Sequence, residues 1–210
     1  LLAAFCTFVV SEVQAAKPSS QADQWGIALG IGWSKFTGSS ANDPSEGIES
    51  SNLTGFSIGV AREHLVKPGM VVYSEINYAQ KGSHYSFTEL DYYDRPIITE
   101  ADWNVSYLEA PTALRFFLGQ KGRTPQPMPF LDLGFYVAYK ISSSIEANGV
   151  SVSVEGLEDL DLGGYFGGGV SLPMGANTLQ ASLHFKPGLY TIDAGNAKNS
   201  SFILTGALLF

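Results

Sequence analysis

Between residues 25 and 33 every second position is large and apolar. Trp25, Ile27, Leu29, Ile31 and Trp33 alternate with Gly26, Ala28, Gly30 and Gly32. A period of two sends the first set to one face of a β-strand and the second to the other. One face is bulky and greasy; the other is almost bare. The same contrast recurs down the chain. Phe56, Ile58 and Val60 oppose Ser57, Gly59, Ala61 and Glu63, and Val72, Ser74, Ile76 and Tyr78 oppose Tyr73, Glu75, Asn77 and Lys81. Leu131 to Ile141 at odd numbers oppose Asp132, Gly134, Tyr136, Ala138, Lys140 and Ser142. Leu160, Leu162, Phe166, Val170 and Leu172 oppose Asp159, Asp161, Tyr165 and a run of glycines, while Leu179, Ala181, Leu183, Phe185 and Leu189 oppose Gln180, Ser182, His184, Lys186 and Tyr190. The chain ends on Phe202, Leu204, Gly206, Leu208 and Phe210 in the same phase.

These patterns predict eight strands, over 24–36, 53–65, 70–84, 103–118, 129–145, 159–172, 178–192 and 201–210. The connections alternate in length. Those near 37–52, 85–103 and 146–158 are long and polar. Those at 66–69 and 173–177 are short, built on Lys67-Pro68-Gly69 and Pro173-Met174-Gly175, and 119–128 is intermediate. An even strand count with long loops on one side and short turns on the other is the habit of an up-and-down outer-membrane barrel. A soluble calycin-type barrel would alternate too, but its bulky face would point inward and leave the glycine-rich face to water. A lipid-facing exterior around a polar interior accounts for both faces. The fold class expected is therefore all-β, an eight-stranded antiparallel up-and-down transmembrane β-barrel.

Composition agrees. Only 15% of residues are charged, where soluble domains carry about a quarter, and 23 Gly, 13 Phe and 10 Tyr suit a turn-rich, aromatic sheet protein. The net charge of −8 and the lack of a basic cluster exclude nucleic acid as a partner. The first stretch differs from the rest. Leu1 to Val10 is an apolar run too short for a membrane helix, followed by Val13-Gln14-Ala15, a small-residue cleavage pattern. Residues 1–15 read as a secretory signal peptide cut after Ala15 or Ala16, 16–23 as a short segment, and 24–210 as the barrel domain. The one cysteine, Cys6, falls in the signal with Phe5 before it, which argues against lipidation. The mature chain then has no disulfide or thiolate metal site.

The stretch SYLEAPTALRFFL, residues 106–118, tests the scheme. Leu108, Ala110, Thr112, Leu114, Phe116 and Leu118 form one face. Glu109, Pro111 and Arg115 share the other and enter the barrel interior. Proline removes a ladder hydrogen bond, so a local unpaired position is expected at Pro111, without a change of facing after it.

With these residues in place the chain resembles the porin-like outer-membrane β-barrel family of Bacteroidetes-type bacteria, which includes PorT-like proteins. The matching stretches are YLEAPTALRFF, PFLDLGFYVAYKIS, DLGGYFGGGVSL and SFILTGALLF, with WGIALGIGWSKF and EINYAQKGS less specific. The family pattern has isoleucine where Ala110 stands. The resemblance implies an outer-membrane location and, by analogy with PorT-like members, a helper role in secretion; it implies no single activity. Phe210, in phase with the lipid-facing set, resembles the C-terminal signal read by the barrel-assembly machinery, which would take it as a strand on an open edge.

The chemistry expected is sparse. Glu63, Glu75, Glu109 and Asp132, with Arg115, Lys140 and Lys186, are the candidate interior charge network; Lys81, Asp159 and Asp161 share the same faces. An eight-stranded barrel is just wide enough for side chains to fill it, so these charges read as a salt-bridged plug rather than a proton path or pore. Ser182 and His184 share a face, but that face is interior, whereas a lipid-modifying set must meet the lipid. The glycines at 163–164 and 167–169 lack a phosphate-loop ending and read as room for Tyr136 and Tyr165. His64 and His84 suggest no metal site. The long loops hold Asp43, Glu46 and Glu49; Glu89, Asp91, Asp94, Glu100 and Asp102 with Tyr92, Tyr93 and Trp103; and Glu146, Glu155 and Glu158. None has calcium-loop spacing. The reading is a non-enzymatic scaffold in the outer membrane, without cofactor, metal or catalytic residues. Its partners are lipid, the assembly machinery and an unidentified loop ligand. The alternatives are a small channel, a lipid-modifying enzyme or a soluble ligand-binding barrel.

Overall fold

The alternation along the chain is realised as antiparallel strands that close on themselves. The structure, a computed structural model, describes residues 23–38, 48–90, 96–118, 126–154, 157–192 and 196–210. The elements are β1 (Gln24–Thr37), β2 (Ile48–Lys67), β3 (Met70–Leu90), β4 (Pro96–Phe117), β5 (Met128–Ala147), β6 (Val150–Ser153), β7 (Leu160–Met174), β8 (Asn177–Pro187) and β9 (Lys198–Leu209). Each barrel strand pairs with its neighbours in sequence, β4 pairs with β5, β5 with β7, and β1 with β9, so eight strands form a ring; β6 hangs from β5 outside it. The last strand seals the first. Phe210 N donates to Trp25 O at 2.7 Å, and Trp25 N to Phe210 O at 3.2 Å.

The faces fall as an inside-out barrel requires. In the isolated chain Ile27 is 53% exposed, Ile76 56% and Leu133 56%, while the lumen-facing Glu109 and Arg115 are 0% and 1% exposed. A soluble barrel would show the reverse. Trp25 and Trp33 bracket the apolar run on β1. They are about 26 Å apart along the strand at the usual rise per residue. On a strand tilted by about 40° that is about 20 Å of height, which places both rings within the roughly 25 Å apolar band.

Glycine supplies room where large side chains must fit inside. A Cβ on Gly163 would lie 2.4 Å from Tyr136 Cε1, and one on Gly167 would lie 2.5 Å from His184 Cδ2. Neither ring could occupy its place against alanine.

Several boundaries differ from expectation. The stretches 48–52, 85–90 and 96–103, expected as loops, extend β2, β3 and β4. Outside the lipid a strand needs no apolar face, and its backbone groups still pair along the ladder. A further strand, β6, lies in the interval expected as the third loop. It is joined to β5 by Asn148 and Gly149, both at positive φ (52° and 76°), the two-residue turn that suits strand twist. Strand β8 stops at Pro187 rather than 192, and Leu189 and Tyr190 are both exposed.

At Pro111 the ladder to β3 skips from Ser74↔Thr112 to Asn77↔Glu109 with no change of register, and Glu109 and Arg115 stay on the same face. The change of phase lies elsewhere. Ser106 pairs with Ser142 but Tyr107 with Lys140, so Ile141 is an extra residue in β5. Beyond it Ser143, not the expected Ser142, is buried. Strand β2 carries a second irregularity between Asn52 and Ser57. There Ser34 on β1 reaches past it. Its Oγ accepts from Gly82 N at 2.7 Å and donates to Gly82 O at 3.0 Å.

A filled lumen as the candidate functional site

From the short-turn end to the loop end, the largest inward side chains fall into three tiers. The first centres on Arg115 of β4. Its Nε and Nη2 grip Asp132 of β5 at 2.8 and 2.7 Å. Its Nη1 donates to Glu63 of β2 at 2.5 Å and to Gln180 of β8 at 2.6 Å, and Gln180 Nε2 donates on to Glu63 at 2.8 Å. Tyr73 and Phe130 lie against the guanidinium, 4.2 and 3.9 Å from ring centre to Cζ. The planar fork and the stacked rings are what arginine, and not lysine, can use. One cation thus ties strands on opposite walls. His184 Nε2 meets Asp132 Oδ2 at 2.8 Å, and its ring stacks on Tyr165 at 4.2 Å. Glu75 makes no ion pair among the described residues; Tyr73 Oη and Asn77 Nδ2 donate to it at 2.6 and 2.7 Å.

The second tier pairs two lysines with two acids. Glu109 accepts from Lys186 through Oε1, and its Oε2 lies 2.5 Å from Lys81 Nζ. Lys81 also reaches Asp161 at 3.5 Å. Asp161 accepts in addition from Tyr136 Oη at 3.2 Å and Asn199 Nδ2 at 3.3 Å. The Tyr136 ring centre is 4.2 Å from Lys81 Nζ.

The third tier is apolar. Phe36, Tyr85, Val105, Tyr107, Leu157 and Ile192 are buried together, with Trp103 against them. Phe36 meets Trp103 edge-on at 5.8 Å, and Trp103 Nε1 donates to Ser143 Oγ at 2.9 Å. Leu157 and Ile192 enter from the connections before β7 and after β8. They are held there by Glu158 N to Ile192 O at 2.8 Å and Ile192 N to Ala197 O at 2.8 Å. Lys140 stands at this rim, donating to the Leu157 carbonyl and pairing with Asp159 at 3.1 Å. Asp159, expected inside, is 66% exposed at its side chain.

So Glu63, Arg115 and Asp132 meet in one cluster, Glu109 and Lys186 in another, and Glu75 and Lys140 join neither. The residues that sequence reasoning left out are Gln180, His184 and Asn199 as polar partners and the whole aromatic tier. Trp103, expected as an external-loop aromatic, points inward. Its odd number shares the phase of Glu109, a signal that was legible. Ser182 also faces the lumen and is buried, but it makes no hydrogen bond to His184, whose Nδ1 has no partner among the described residues. Phe210 is 61% exposed on the lipid face. The predicted signal segment 1–15, and Asp43, Glu46, Asp91, Tyr92, Tyr93, Asp94 and Glu155, lie outside the described residues. His64 and His84 pair with Asp23 and Asp102, both at 2.6 Å.

A closed ring with a greasy exterior and ion pairs inside defines an integral outer-membrane β-barrel. The chain belongs to the outer membrane protein beta-barrel domain family, whose model matches residues 17–194. No curated protein matches it. Among solved structures it is similar to Neisserial surface protein A (12% identity, 90% of this chain and 98% of that one, TM-score 0.49). It is also similar to Ail of Yersinia pestis (13%, 90% and 100%, TM-score 0.43), solved with a heparin analogue. A third is the N-terminal barrel domain of Pseudomonas aeruginosa OprF (10%, 90% and 100%, TM-score 0.41).

Proposed function

We propose that this protein is a non-enzymatic scaffold: a barrel packed shut, exported through a signal peptide at 1–15, inserted through its C-terminal strand, and presenting its loop side to a partner. The observation that carries this reading is the filled lumen. An ion would have to displace the Arg115 cluster, break the Glu109–lysine pairs and part the Phe36–Trp103 tier in succession. Buried pairs resist such opening, because each separated charge is left unsolvated. Ser182 and His184 are sealed inside with no route to lipid, which supports a non-catalytic role. The seal between Phe210 and Trp25 supports a closing strand added last. Planar-bilayer recording on purified protein, verified by its cold-resistant gel mobility, should give no stepwise conductance. Sustained ion-sized steps from the folded form would overturn the reading.

A further inference from the structure

Strands β2 to β5 outrun the rest of the barrel. They are 20, 21, 22 and 20 residues long, against 14, 15, 11 and 12 for β1, β7, β8 and β9. The β1–β2 ladder ends at Ser34↔Leu53 and the β5–β7 ladder at Tyr139↔Leu160. Beyond those levels β2, β3, β4 and β5 continue as an open sheet, with β6 as its border. The outer surface of this projection carries His84, Asp102 and Glu146, so it stands in water.

The two borders differ. On the β2 side Ser50 Oγ donates to Phe36 O at 3.3 Å, tying the margin to β1. On the β6 side no strand follows among the described residues. Val154 N donates to Ser143 O at 3.0 Å. Amides two residues apart point the same way along a strand, so Val150 and Val152 also turn theirs toward β5. Ser151 and Ser153 then turn their N–H and C=O groups outward. Natural edges are blunted by lysine, proline or a bulge, and Val-Ser-Val-Ser has none of these. Val150 and Val152 are 63% and 58% exposed.

We propose that this edge takes up an extended basic segment of a partner protein as an added strand. The recognition follows from a row of side chains across the sheet: His84 opposite Asp102, Asp102 opposite Glu146, and Glu146 opposite Ser151. His84 pairs with Asp102. Glu146 has a carboxylate directly beside it, an unfavourable neighbour, and no cation among the described residues. The next place in the row belongs to the added strand. A lysine or arginine opposite Ser151 would reach over that small side chain to Glu146. The positions beside it, opposite Val150 and Val152, call for apolar residues. Main-chain pairing gives such a complex its affinity and the alternating side chains its specificity. A second copy of this chain is the poorer occupant, since it would bring Glu146 and Asp102 against their like. In one membrane its β6 would also run in the same sense toward the bilayer, not antiparallel.

This inference rests on the scaffold reading for the existence of a partner, yet the two fail separately, since conductance reports the lumen and strand addition reports the edge. The test titrates the full chain in zwitterionic nanodiscs with two capped peptides, Val-Lys-Val-Lys-Val and Val-Glu-Val-Glu-Val, by calorimetry. The lysine peptide should bind at least about tenfold tighter, the 1.4 kcal/mol equivalent. Ser151→Pro removes one outward donor and leaves the β5 ladder intact; it should abolish binding while the cold gel shift persists. Glu146→Lys should reverse the preference, and it keeps the test decisive if the proline variant misfolds. The proposal is overturned if neither peptide binds, if both bind alike, or if Ser151→Pro binds as the parent does, which would leave only diffuse charge attraction. Self-association lost in Ser151→Pro without peptide binding would also overturn it, by making a second copy the occupant.

Discussion

Replacing Arg115 with methionine keeps much of its length and removes its charge. The structure allows the loss to be estimated. Arg115 is 1% exposed and faces Asp132, Glu63 and Gln180, with the Tyr73 and Phe130 rings against its guanidinium. Removing one partner of a buried ion cluster costs about 3–5 kcal/mol, chiefly because the acids left behind remain desolvated. The two ring contacts add about 0.5–2 kcal/mol each for a cation, part of which methionine regains as packing. Asp159→Asn makes the comparison, because that side chain is 66% exposed and the change weakens its pair with Lys140 while leaving the lysine's bond to the Leu157 carbonyl in place. Exposed pairs are worth about 0–1 kcal/mol. Urea unfolding in lipid vesicles, followed by loss of the cold-resistant gel band, measures both. With a slope of about 1–3 kcal/mol per molar, Arg115→Met should lower the midpoint by roughly 1–5 M and Asp159→Asn by a few tenths. The triple variant Arg115→Met, Glu63→Gln, Asp132→Asn should recover most of the loss, because neutral residues leave no charge stranded. Equal midpoints for Arg115→Met and Asp159→Asn would refute the reasoning. So would a triple variant weaker than the single, since the acids would then be held by something other than Arg115.

Three further outcomes follow from the same geometry. Ser34→Ala strands the buried N–H and C=O of Gly82 where β2 is irregular. Unfolding in urea should show a loss of about 2 kcal/mol, against a few tenths for a serine on the outer surface such as Ser144. In single-tryptophan variants, lipids brominated on the acyl chain should quench Trp25 and Trp33, which are 51% and 41% exposed, and spare Trp103. Quenching of Trp103 would place it outside the lumen. Asp23, just before β1, is pushed up by burial but more strongly pulled down by the hydrogen bonds and charges of Arg62 and His64, and so sits below the usual aspartate range. Its stabilising contribution is therefore complete above that range and is lost as pH falls through the lowered midpoint. A carboxyl NMR titration should show that midpoint rising in Arg62→Gln.

The faces of the barrel were legible in the sequence because lipid enforces them. Outward at Ile27, Leu133 or Leu204 only an apolar side chain is tolerated, so alternation survives from end to end and the strand count can be read from it. Beyond the lipid that constraint stops. The run Thr88 to Asn104 has no apolar face, so it looks like a loop although its backbone pairs through most of its length. Asn148-Gly149 is a strong hairpin signal and could have revealed β6, but a four-residue strand of valine and serine gives little periodicity to confirm it. The extra residue at Ile141 left no trace, since Ser142 and Ser143 are interchangeable to the eye.

Interior partners were less legible than interior positions, for a different physical reason. Parity sends Arg115 and Asp132 inward, but that they stand directly opposite depends on the register of β4 on β5. The connection between those strands sets that register, and its residues 119–125 carry no periodic signal. Contacts across the lumen depend further on the stagger around the whole ring. Arg115 reaches Gln180 only because β8 brings that amide to the same height, and a shift of one residue pair anywhere in the ring would offer it Ser182 instead. Each buried charge is thus also a check on closure. A ring closed in the wrong register would leave guanidinium and carboxylates buried apart from one another, and a buried charge without its partner costs about 3–5 kcal/mol. The charges that fill the lumen are therefore the same ones that select the register, whereas the projecting part of the sheet, with no packed interior to match, is released from that constraint.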